Sequence, residues 1–179
     1  STKPLRIGIL GAARIAPMAL IGPAKATGVA QVMAVAARDP ERARAYAAEH
    51  AIPNVAEDYE ALIAHPEVDA VYNALPASRH ADLTVAALQA GKPVLCEKPF
   101  AMTLAEAKQM VAVADARGLV LMEAFHYRYH PLFARVLEIV ASGEIGDVRR
   151  LEAVFSTSIE ATATELRYDP SLGGGALMD

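Results

Sequence analysis

The fold of this 179-residue chain is decided near its N-terminus, by the stretch Leu5-Arg-Ile-Gly-Ile-Leu-Gly-Ala-Ala-Arg-Ile-Ala16. Its first six residues, Leu5–Leu10, form an apolar run typical of a buried strand, and a helical pattern follows over Ile15–Ala26. Gly11 lies between the two, where the backbone must turn tightly from strand to helix. A strand, a glycine turn and a helix in this order predict the first unit of a doubly wound α/β fold.

The turn can be aligned with the dinucleotide-binding fingerprint G-x-G-x-x-G. In that register the three small residues are Gly11, Ala13 and Ala16, so alanine replaces the second and third glycines. A methyl group at Ala13 still lets the backbone approach a pyrophosphate, and a helix beginning near Arg14 points free N–H groups at the phosphates. A tight turn without a ligand is the alternative. We expect a dinucleotide to contact Gly11, Ala12, Ala13, Arg14 and Ile15.

Strands and helices alternate along the first two thirds of the chain. The predicted strands are Leu5–Leu10, Gln31–Ala37, a short piece near Val55, Ala70–Ala74, Pro93–Cys96 and Leu119–Ala124. The predicted helices are Ile15–Ala26, Pro40–His50, Asp58–Ala64, Arg79–Ala90 and Leu104–Arg117. The strands are continuous apolar runs, as expected when helices cover both faces of a parallel sheet. Residues 1–124 are therefore predicted to form a Rossmann domain with a doubly wound parallel sheet.

The pattern changes in residues 125–179, which we predict to be the beginning of a second, α+β domain. A helix is expected over Pro131–Ser142, and the alternating stretch Asp147–Ser158 indicates a strand. One helix and one strand do not close a domain, because a lone strand has unpaired edges on both sides. We therefore expect this second domain to be incomplete.

Composition excludes several classes of protein. The chain has 17 Lys+Arg against 21 Asp+Glu, a net charge of −4 and no basic stripe, which argues against a nucleic-acid partner. No apolar run approaches the roughly 20 residues of a membrane span, and the N-terminus lacks the apolar region of a signal peptide. Cys96 is the single cysteine, which excludes an intrachain disulfide and fits a reducing compartment. A cytoplasmic location is expected.

The residues after the second predicted strand bear on the choice of cofactor. NAD sites usually place a carboxylate here for the ribose 2′-OH, but Asp39 stands where the next helix needs an N-cap, directly before Pro40. Arg38 ends the strand, and a guanidinium can pair with a 2′-phosphate. NADP is therefore favoured over NAD, with a solvated strand end as the alternative role of Arg38.

Two further strand ends carry candidate site residues. The fourth predicted strand leads into Ala74, Leu75 and Pro76, with His80 opening the next helix. The fifth leads into the charged pair Glu97 and Lys98. Ligands of doubly wound folds bind at the carboxyl ends of the strands, so we expect all six residues to line the cofactor site. A surface salt bridge is the alternative for the pair, and a merely exposed side chain is the alternative for His80.

The segment after the last predicted strand is rich in rings and includes one guanidinium. Glu123, His126 and His130 invite a metal interpretation, but Pro131 begins a new element, so the two histidines do not share one helix face and no HExxH motif is present. We expect no metal. A loop of this kind between two domains fits a substrate cleft better, and Arg128 is expected to contact the cofactor.

The sequence resembles the Gfo/Idh/MocA oxidoreductases, the family of glucose–fructose oxidoreductase and inositol dehydrogenase. The resemblance rests on four sequence motifs distributed along the chain: Gly8–Ala16, Gly91–Pro99, Glu123–Pro131 and Asp169–Asp179. The Glu97-Lys-Pro99 element and the final Gly-Gly-Gly-Ala-Leu-Met-Asp are the specific parts. Within the family the chain is most similar to the NADP-dependent D-xylose (aldose) and dihydrodiol dehydrogenases.

The resemblance implies hydride transfer between NADP(H) and a hydroxyl-bearing carbon of a sugar or cyclic polyol. Lys98 matches the family's catalytic lysine, and Asp179 matches the aspartate that helps to hold the substrate hydroxyl; Arg167 and Tyr168 are further substrate candidates. The family's catalytic His or Tyr lies four residues beyond that aspartate, past the end of this sequence. A C-terminal antiparallel sheet, through which the full-length protein forms a homo-oligomer, is also implied. A non-catalytic dinucleotide-binding module, or an inactive fragment of such an enzyme, is the alternative.

Overall fold

A computed structural model describes residues 3–156, 158–160, 162 and 165–175. Its centre is a parallel sheet of six strands in the order β3-β2-β1-β4-β5-β6. The strands are β1 (Leu5–Leu10), β2 (Ala30–Ala36), β3 (Asn54–Val55), β4 (Ala70–Asn73), β5 (Val94–Cys96) and β6 (Leu121–Glu123). The α-helices are α1 (Gly22–Thr27), α2 (Pro40–His50), α3 (Tyr59–Ala64), α4 (His80–Gln89), α5 (Leu104–Arg117) and α6 (Pro131–Ser142). The doubly wound fold is confirmed.

The first predicted helix is not a regular α-helix throughout. Its first part, Pro17–Ile21, is a π-helical turn in which the N–H of Gly22 bonds to the carbonyl of Pro17, and α1 follows. Pro23 has no N–H and cannot continue the ladder, which favours the wider turn at this point. The helical segment begins at Pro17, two residues later than predicted.

The predicted N-caps of α2 and α5 are confirmed. Asp39 accepts from the N–H of Glu41 at the start of α2, with Pro40 in the first helical position. Thr103 and Glu106 form a reciprocal capping box at the start of α5. Since each cap is read within four residues of the chain, these helices begin where the sequence predicts.

Apolar side chains pack against both faces of the sheet. One face is covered by α3, α4 and α5, and its fully buried members include Leu10, Leu62, Val71, Leu88 and Met110. The other is covered by the turn before α1 and by α2, with Ile9, Ile21, Val35, Ala47 and Tyr72 at its centre. This double cover explains why the strand sequences are continuous apolar runs.

The strand predicted at Asp147–Ser158 is wrong: within the described part of this stretch the backbone forms no strand. Leu151, Val154 and Phe155 are exposed by 82%, 95% and 93%. No strand among the described residues lies beside this segment, so its N–H and C=O groups have no ladder to join. The antiparallel sheet of the second domain and the boundary at residue 124 stay predictions.

Candidate active site

Five neighbouring strands end in one row. The register pairs Leu10 with Ala36 and Asn73, Asn73 with Cys96, and Cys96 with Glu123. In each case the next residue along the chain donates its N–H to a neighbouring strand end, as in Gly11 N to Ala36 O at 2.8 Å, Ala74 N to Leu10 O at 3.1 Å, Glu97 N to Asn73 O at 2.9 Å and Ala124 N to Cys96 O at 2.8 Å. The segments that begin at residues 11, 74, 97 and 124 therefore leave the sheet side by side, where doubly wound folds bind their ligands.

The glycine turn after β1 has the backbone that the fingerprint requires. Gly11 has φ +95°, and a Cβ placed on it would lie 3.0 Å from Cδ2 of Leu75 and 3.3 Å from the carbonyl oxygen of Ala74. A residue with a side chain would be strained at this φ, and its Cβ would press against the segment that follows β4. Ala12 is buried behind the turn, Ala13 and Ile15 are half-buried, and Arg14 is exposed. The turn thus brings together the predicted phosphate-binding residues.

Helix α2 holds the carbonyl side of this turn, a feature that sequence reasoning missed. Nη2 of Arg42 donates to the carbonyl oxygen of Ala12 at 2.7 Å, and the hydroxyl of Tyr46 donates to that of Ala13 at 3.0 Å. Burial raises the pKa of Tyr46 to about 12, so the hydroxyl remains a donor at neutral pH. The sequence did carry one signal for this contact: Arg42 and Tyr46 are four residues apart, so they lie on the same face of α2.

The two charged residues that follow β2 differ in their contacts, and the N-cap predicted at Asp39 is confirmed. Asp39 Oδ1 accepts from the N–H of Glu41 at 3.0 Å, so this carboxylate is engaged in capping α2. Arg38 is exposed beside it, and Arg42 lies in the first turn of α2. The guanidinium of Arg42 therefore contacts the glycine turn, Arg38 is exposed just after β2, and the carboxylate between them in sequence is engaged in capping.

His80 is fully buried instead of lining the open edge. Its Nε2 lies 2.8 Å from the carbonyl oxygen of Leu75 and its Nδ1 lies 2.8 Å from that of Pro99, so the ring connects the segments that follow β4 and β5. Asn73 is buried next to it and donates to the hydroxyl of Thr84 at 3.2 Å. Ala74, Leu75 and Pro76 are half-buried at the edge, as expected for residues that line a cleft.

The Glu97–Lys98 pair divides into a buried and an exposed member. Glu97 is only 6% exposed; its carboxylate accepts from the hydroxyl of Tyr72 and, at 3.2 Å, from the backbone N–H of Lys98. Lys98 itself is exposed at the sheet edge and precedes a cis bond to Pro99. Cys96 is buried, and burial raises the pKa of its thiol to about 12, which agrees with a packing role.

The last residue of β6 contributes a carboxylate, and a cavity lies beside it. Glu123 Oε1 accepts from the N–H of Phe100 at 3.0 Å, and burial raises the pKa of this carboxyl. A cavity of about 230 Å³ opens beside it, lined by residues that include Tyr72, Leu95, Phe125, His126 and Tyr129. Arg128 is exposed nearby in the chain. Among the residues that the structure describes, no group of three His, Cys, Asp or Glu side chains is placed to hold a metal.

A cluster of charges connects the glycine turn with the C-terminal segment. The carboxylate of Glu165 accepts from Nε of Arg167 at 2.7 Å and from Nη2 of Arg14 at 3.3 Å. The Arg167 guanidinium beside it lowers the pKa of Glu165 to about 2. Tyr168 is exposed, and its hydroxyl donates to the carbonyl of Ile159 at 2.8 Å. Asp179, the predicted substrate-binding aspartate, lies outside the described residues.

Parallel strand order, the glycine turn and the row of strand ends together define a Rossmann-type dinucleotide-binding protein. Residues 5–125 match the family profile described as an oxidoreductase family with an NAD-binding Rossmann fold, and residues 133–179 match the GFO/IDH/MocA C-terminal domain. The chain belongs to the GFO/IDH/MocA oxidoreductase family, which confirms the resemblance noted from its motifs.

Named relatives are similar over much of the chain. A D-xylose 1-dehydrogenase (NADP(+)) from Haloferax volcanii is 42% identical over 175 residues, which is 98% of this chain and 53% of the relative. A trans-1,2-dihydrobenzene-1,2-diol dehydrogenase from Xenopus laevis is 37% identical, over 83% of this chain and 44% of the relative. The chain thus spans about half the length of these curated relatives.

A solved structure has the same architecture. The crystal structure of KijD10, a 3-ketoreductase from Actinomadura kijaniata in complex with NADP and TDP-benzene, superposes with a TM-score of 0.89 at 38% identity. The match covers 98% of this chain and 54% of that one. No helix in the described part of the chain has both the length and the apolar character of a membrane span.

Proposed function

We propose that the full-length protein is an NADP(H)-dependent oxidoreductase. It transfers a hydride between the nicotinamide and a hydroxyl-bearing carbon of a sugar or cyclic polyol. One observation carries the proposal: the glycine turn after β1, the arginines after β2 and Lys98 after β5 all lie along one edge of one sheet. A dinucleotide that begins at the arginines and crosses the turn extends toward the lysine.

The residues at this edge fit such a cofactor. Gly11 has a backbone conformation that disfavours a side chain, and α2 anchors the carbonyl oxygens of Ala12 and Ala13. The Gly11 amide bonds to Ala36, so we assign the contact with phosphate oxygens to the amides that follow Gly11 in the turn. Arg38 just after β2 and Arg42 in the first turn of α2 suit the extra phosphate of NADP. Two relatives support this choice, since one is named an NADP(+)-dependent dehydrogenase and another was crystallised with NADP.

Lys98 is the proposed acid–base group. When bound, the cofactor supplies the redox chemistry by accepting or donating hydride at its nicotinamide. In the oxidative direction the amine of Lys98 takes the proton of the substrate hydroxyl; in the reductive direction the ammonium returns it. Proton transfer by a positioned side chain contributes about 10²–10⁴-fold to a rate. Arg167, Tyr168 and Asp179 are proposed to contact the substrate, and Glu97 and Arg128 to lie on the cofactor side of the cleft. His80 acts from the interior, where it holds the backbone at Leu75 and Pro99.

The test is a steady-state assay on the full-length protein. Absorbance at 340 nm follows NADP⁺ reduction with a panel of aldoses, inositols and diols. We expect turnover with at least one of them, and a loss of about 10²-fold or more in kcat for Lys98→Ala. Lys108→Ala is the matched control, because Lys108 is exposed on α5. Unchanged turnover in Lys98→Ala would remove this lysine from its role.

Direct binding separates the proposal from its alternative. Calorimetric titration with NADP⁺ and with NAD⁺ shows whether the edge takes a dinucleotide and which one it prefers. Binding without turnover on the whole panel favours a non-catalytic dinucleotide-binding module instead. The homo-oligomeric state and the cytoplasmic location of the full-length protein stay predictions.

A further inference from the structure

Tyr72 carries a hydroxyl group that its packing does not require. It lies in β4, is 1% exposed and fills the centre of the core between the sheet and the turn before α1. Phenylalanine would occupy the same space without a polar atom to satisfy. A buried hydroxyl costs free energy unless it has a partner, and the partner here is the carboxylate of Glu97, 25 residues further along the chain.

Glu97 is equally unusual as a carboxylate, because it is almost completely buried at the end of β5. Its two oxygens have separate tasks: Oε1 accepts from Tyr72, and Oε2 accepts from the backbone N–H of Lys98 at 3.2 Å. The side-chain torsions of Glu97 therefore set the direction of the peptide group from which Lys98 extends. The hydroxyl of Tyr72 in turn holds those torsions from the neighbouring strand.

The two residues after Lys98 each have a backbone group in contact with a different side chain. The carbonyl of Pro99 lies 2.8 Å from Nδ1 of His80, and the N–H of Phe100 donates to Glu123 at 3.0 Å. Lys98, whose N–H bonds to Glu97, is the exposed residue of this segment. Each anchor acts on a different backbone group, so the effect of losing one of them can be measured separately.

We propose that Tyr72 is a positioning residue that acts through Glu97 to hold the backbone of Lys98 in place for proton transfer. The inference rests on the proposed role of Lys98 and adds a residue to which neither the motifs nor the relatives assign a part. Burial raises the pKa of Tyr72, and the Glu97 carboxylate raises it further, so the phenol remains a hydrogen-bond donor at neutral pH.

Hydrogen exchange tests the geometric part without any cofactor. In the full-length apoprotein, amide exchange followed by NMR compares Tyr72→Phe with the wild type. We expect the Lys98 amide to exchange about tenfold faster in the variant, because its acceptor is no longer held, while the Phe100 amide on Glu123 keeps its rate. Equal acceleration of both amides would assign the hydroxyl to general stability and overturn the proposal, as would an unchanged Lys98 amide.

Kinetics test the functional part. We expect Tyr72→Phe to lower kcat about tenfold and to leave the dissociation constant of NADPH, measured by fluorescence, within twofold of the wild type. Tyr59→Phe is the control, because Tyr59 is half-buried at the start of α3 and packs against the core on the face of the sheet opposite to Tyr72. A wild-type kcat in Tyr72→Phe, or a loss confined to cofactor affinity, would overturn the proposal.

A double-mutant cycle tests whether Tyr72 acts on Lys98 through Glu97. If Tyr72 acts through Glu97, the effects of Tyr72→Phe and Glu97→Gln on kcat are strongly non-additive; additive effects would contradict the proposal. Failure of the proposed function is recognised separately, because the wild type then shows no turnover on any substrate. The exchange experiment still reports on the Tyr72–Glu97–Lys98 arrangement in that case.

Discussion

Nη2 of Arg42 lies 2.7 Å from the carbonyl oxygen of Ala12, across thirty residues of sequence. The contact joins the first turn of α2 to the glycine turn after β1, and Tyr46 repeats it one helical turn later on Ala13. A guanidinium in this place has two roles under the proposed function. It fixes the backbone that receives the pyrophosphate, and it adds positive charge where NADP carries its extra phosphate.

Replacing Arg42 therefore affects the two cofactors unequally. We expect Arg42→Met to raise the dissociation constant of NADP⁺ about ten- to a hundredfold and that of NAD⁺ by less, since only NADP⁺ loses a charged partner as well as the turn contact. Calorimetry measures both constants. Arg44→Met is the control, because Arg44 is exposed on the same helix and pairs with Glu41. Equal losses for the two cofactors would restrict Arg42 to its role in the turn.

A substitution at Gly11 introduces both backbone strain and a close contact with the segment that follows β4. We expect Gly11→Ala to lower the free energy of unfolding by about 1–3 kcal/mol and to abolish detectable NADP⁺ binding, because the new methyl group meets Leu75 and the carbonyl of Ala74. Gly28→Ala is a matched control: Gly28 also has positive φ, +67°, but a Cβ there meets nothing within 4 Å. It should cost about 1 kcal/mol and leave binding intact. Retained binding in Gly11→Ala would contradict the assignment of the turn.

The opposite edge of the sheet provides a test of stability against pH. Asp69 receives two side-chain bonds from Arg6, at 2.7 and 2.9 Å, which lower the pKa of its carboxyl from 3.8 to about 2. The folded state therefore binds this proton less readily than the unfolded state, so the stabilisation is complete above about pH 4 and is lost as pH falls toward 2. Urea unfolding at a series of pH values measures this effect. Below about pH 4, the free energy of unfolding should fall less steeply for Asp69→Asn than for the wild type. Parallel curves for the variant and the wild type would exclude the pair as a contributor.

Lys92 is expected to contribute to the stability of the fold and not to cofactor binding. Its ammonium donates to the carbonyl of His65 at 2.9 Å and to that of Val68, at the end of the sheet away from the proposed cofactor. Lys92→Met leaves both carbonyls without this donor, so we expect the free energy of unfolding to fall by about 1–3 kcal/mol with NADP⁺ affinity unchanged. Lys108→Met should change neither quantity. A stable Lys92→Met variant would show that water replaces the ammonium at little cost.

By itself, the sequence determined the elements and their order. Strand runs, the caps at Asp39 and Thr103, and the glycine turn at Gly11 are encoded within a few residues, because capping, turn conformation and apolar periodicity are local properties. Motifs indicated the family, and the sequence placed Arg38 and Lys98 just after strands, at the edge where we propose that the cofactor binds. The alternating stretch Asp147–Ser158 shows the limit of such reasoning, since a strand also requires a partner strand.

Only the tertiary structure decided which side chains meet. The contact of Arg42 with Ala12 and that of Tyr72 with Glu97 join residues that are 30 and 25 positions apart, through elements that become neighbours when the sheet forms. The burial of His80 between two loops was likewise invisible in a sequence where it opens a helix. Periodicity tells which face of an element is buried, whereas hydrogen-bond partners depend on the packing of whole elements against each other.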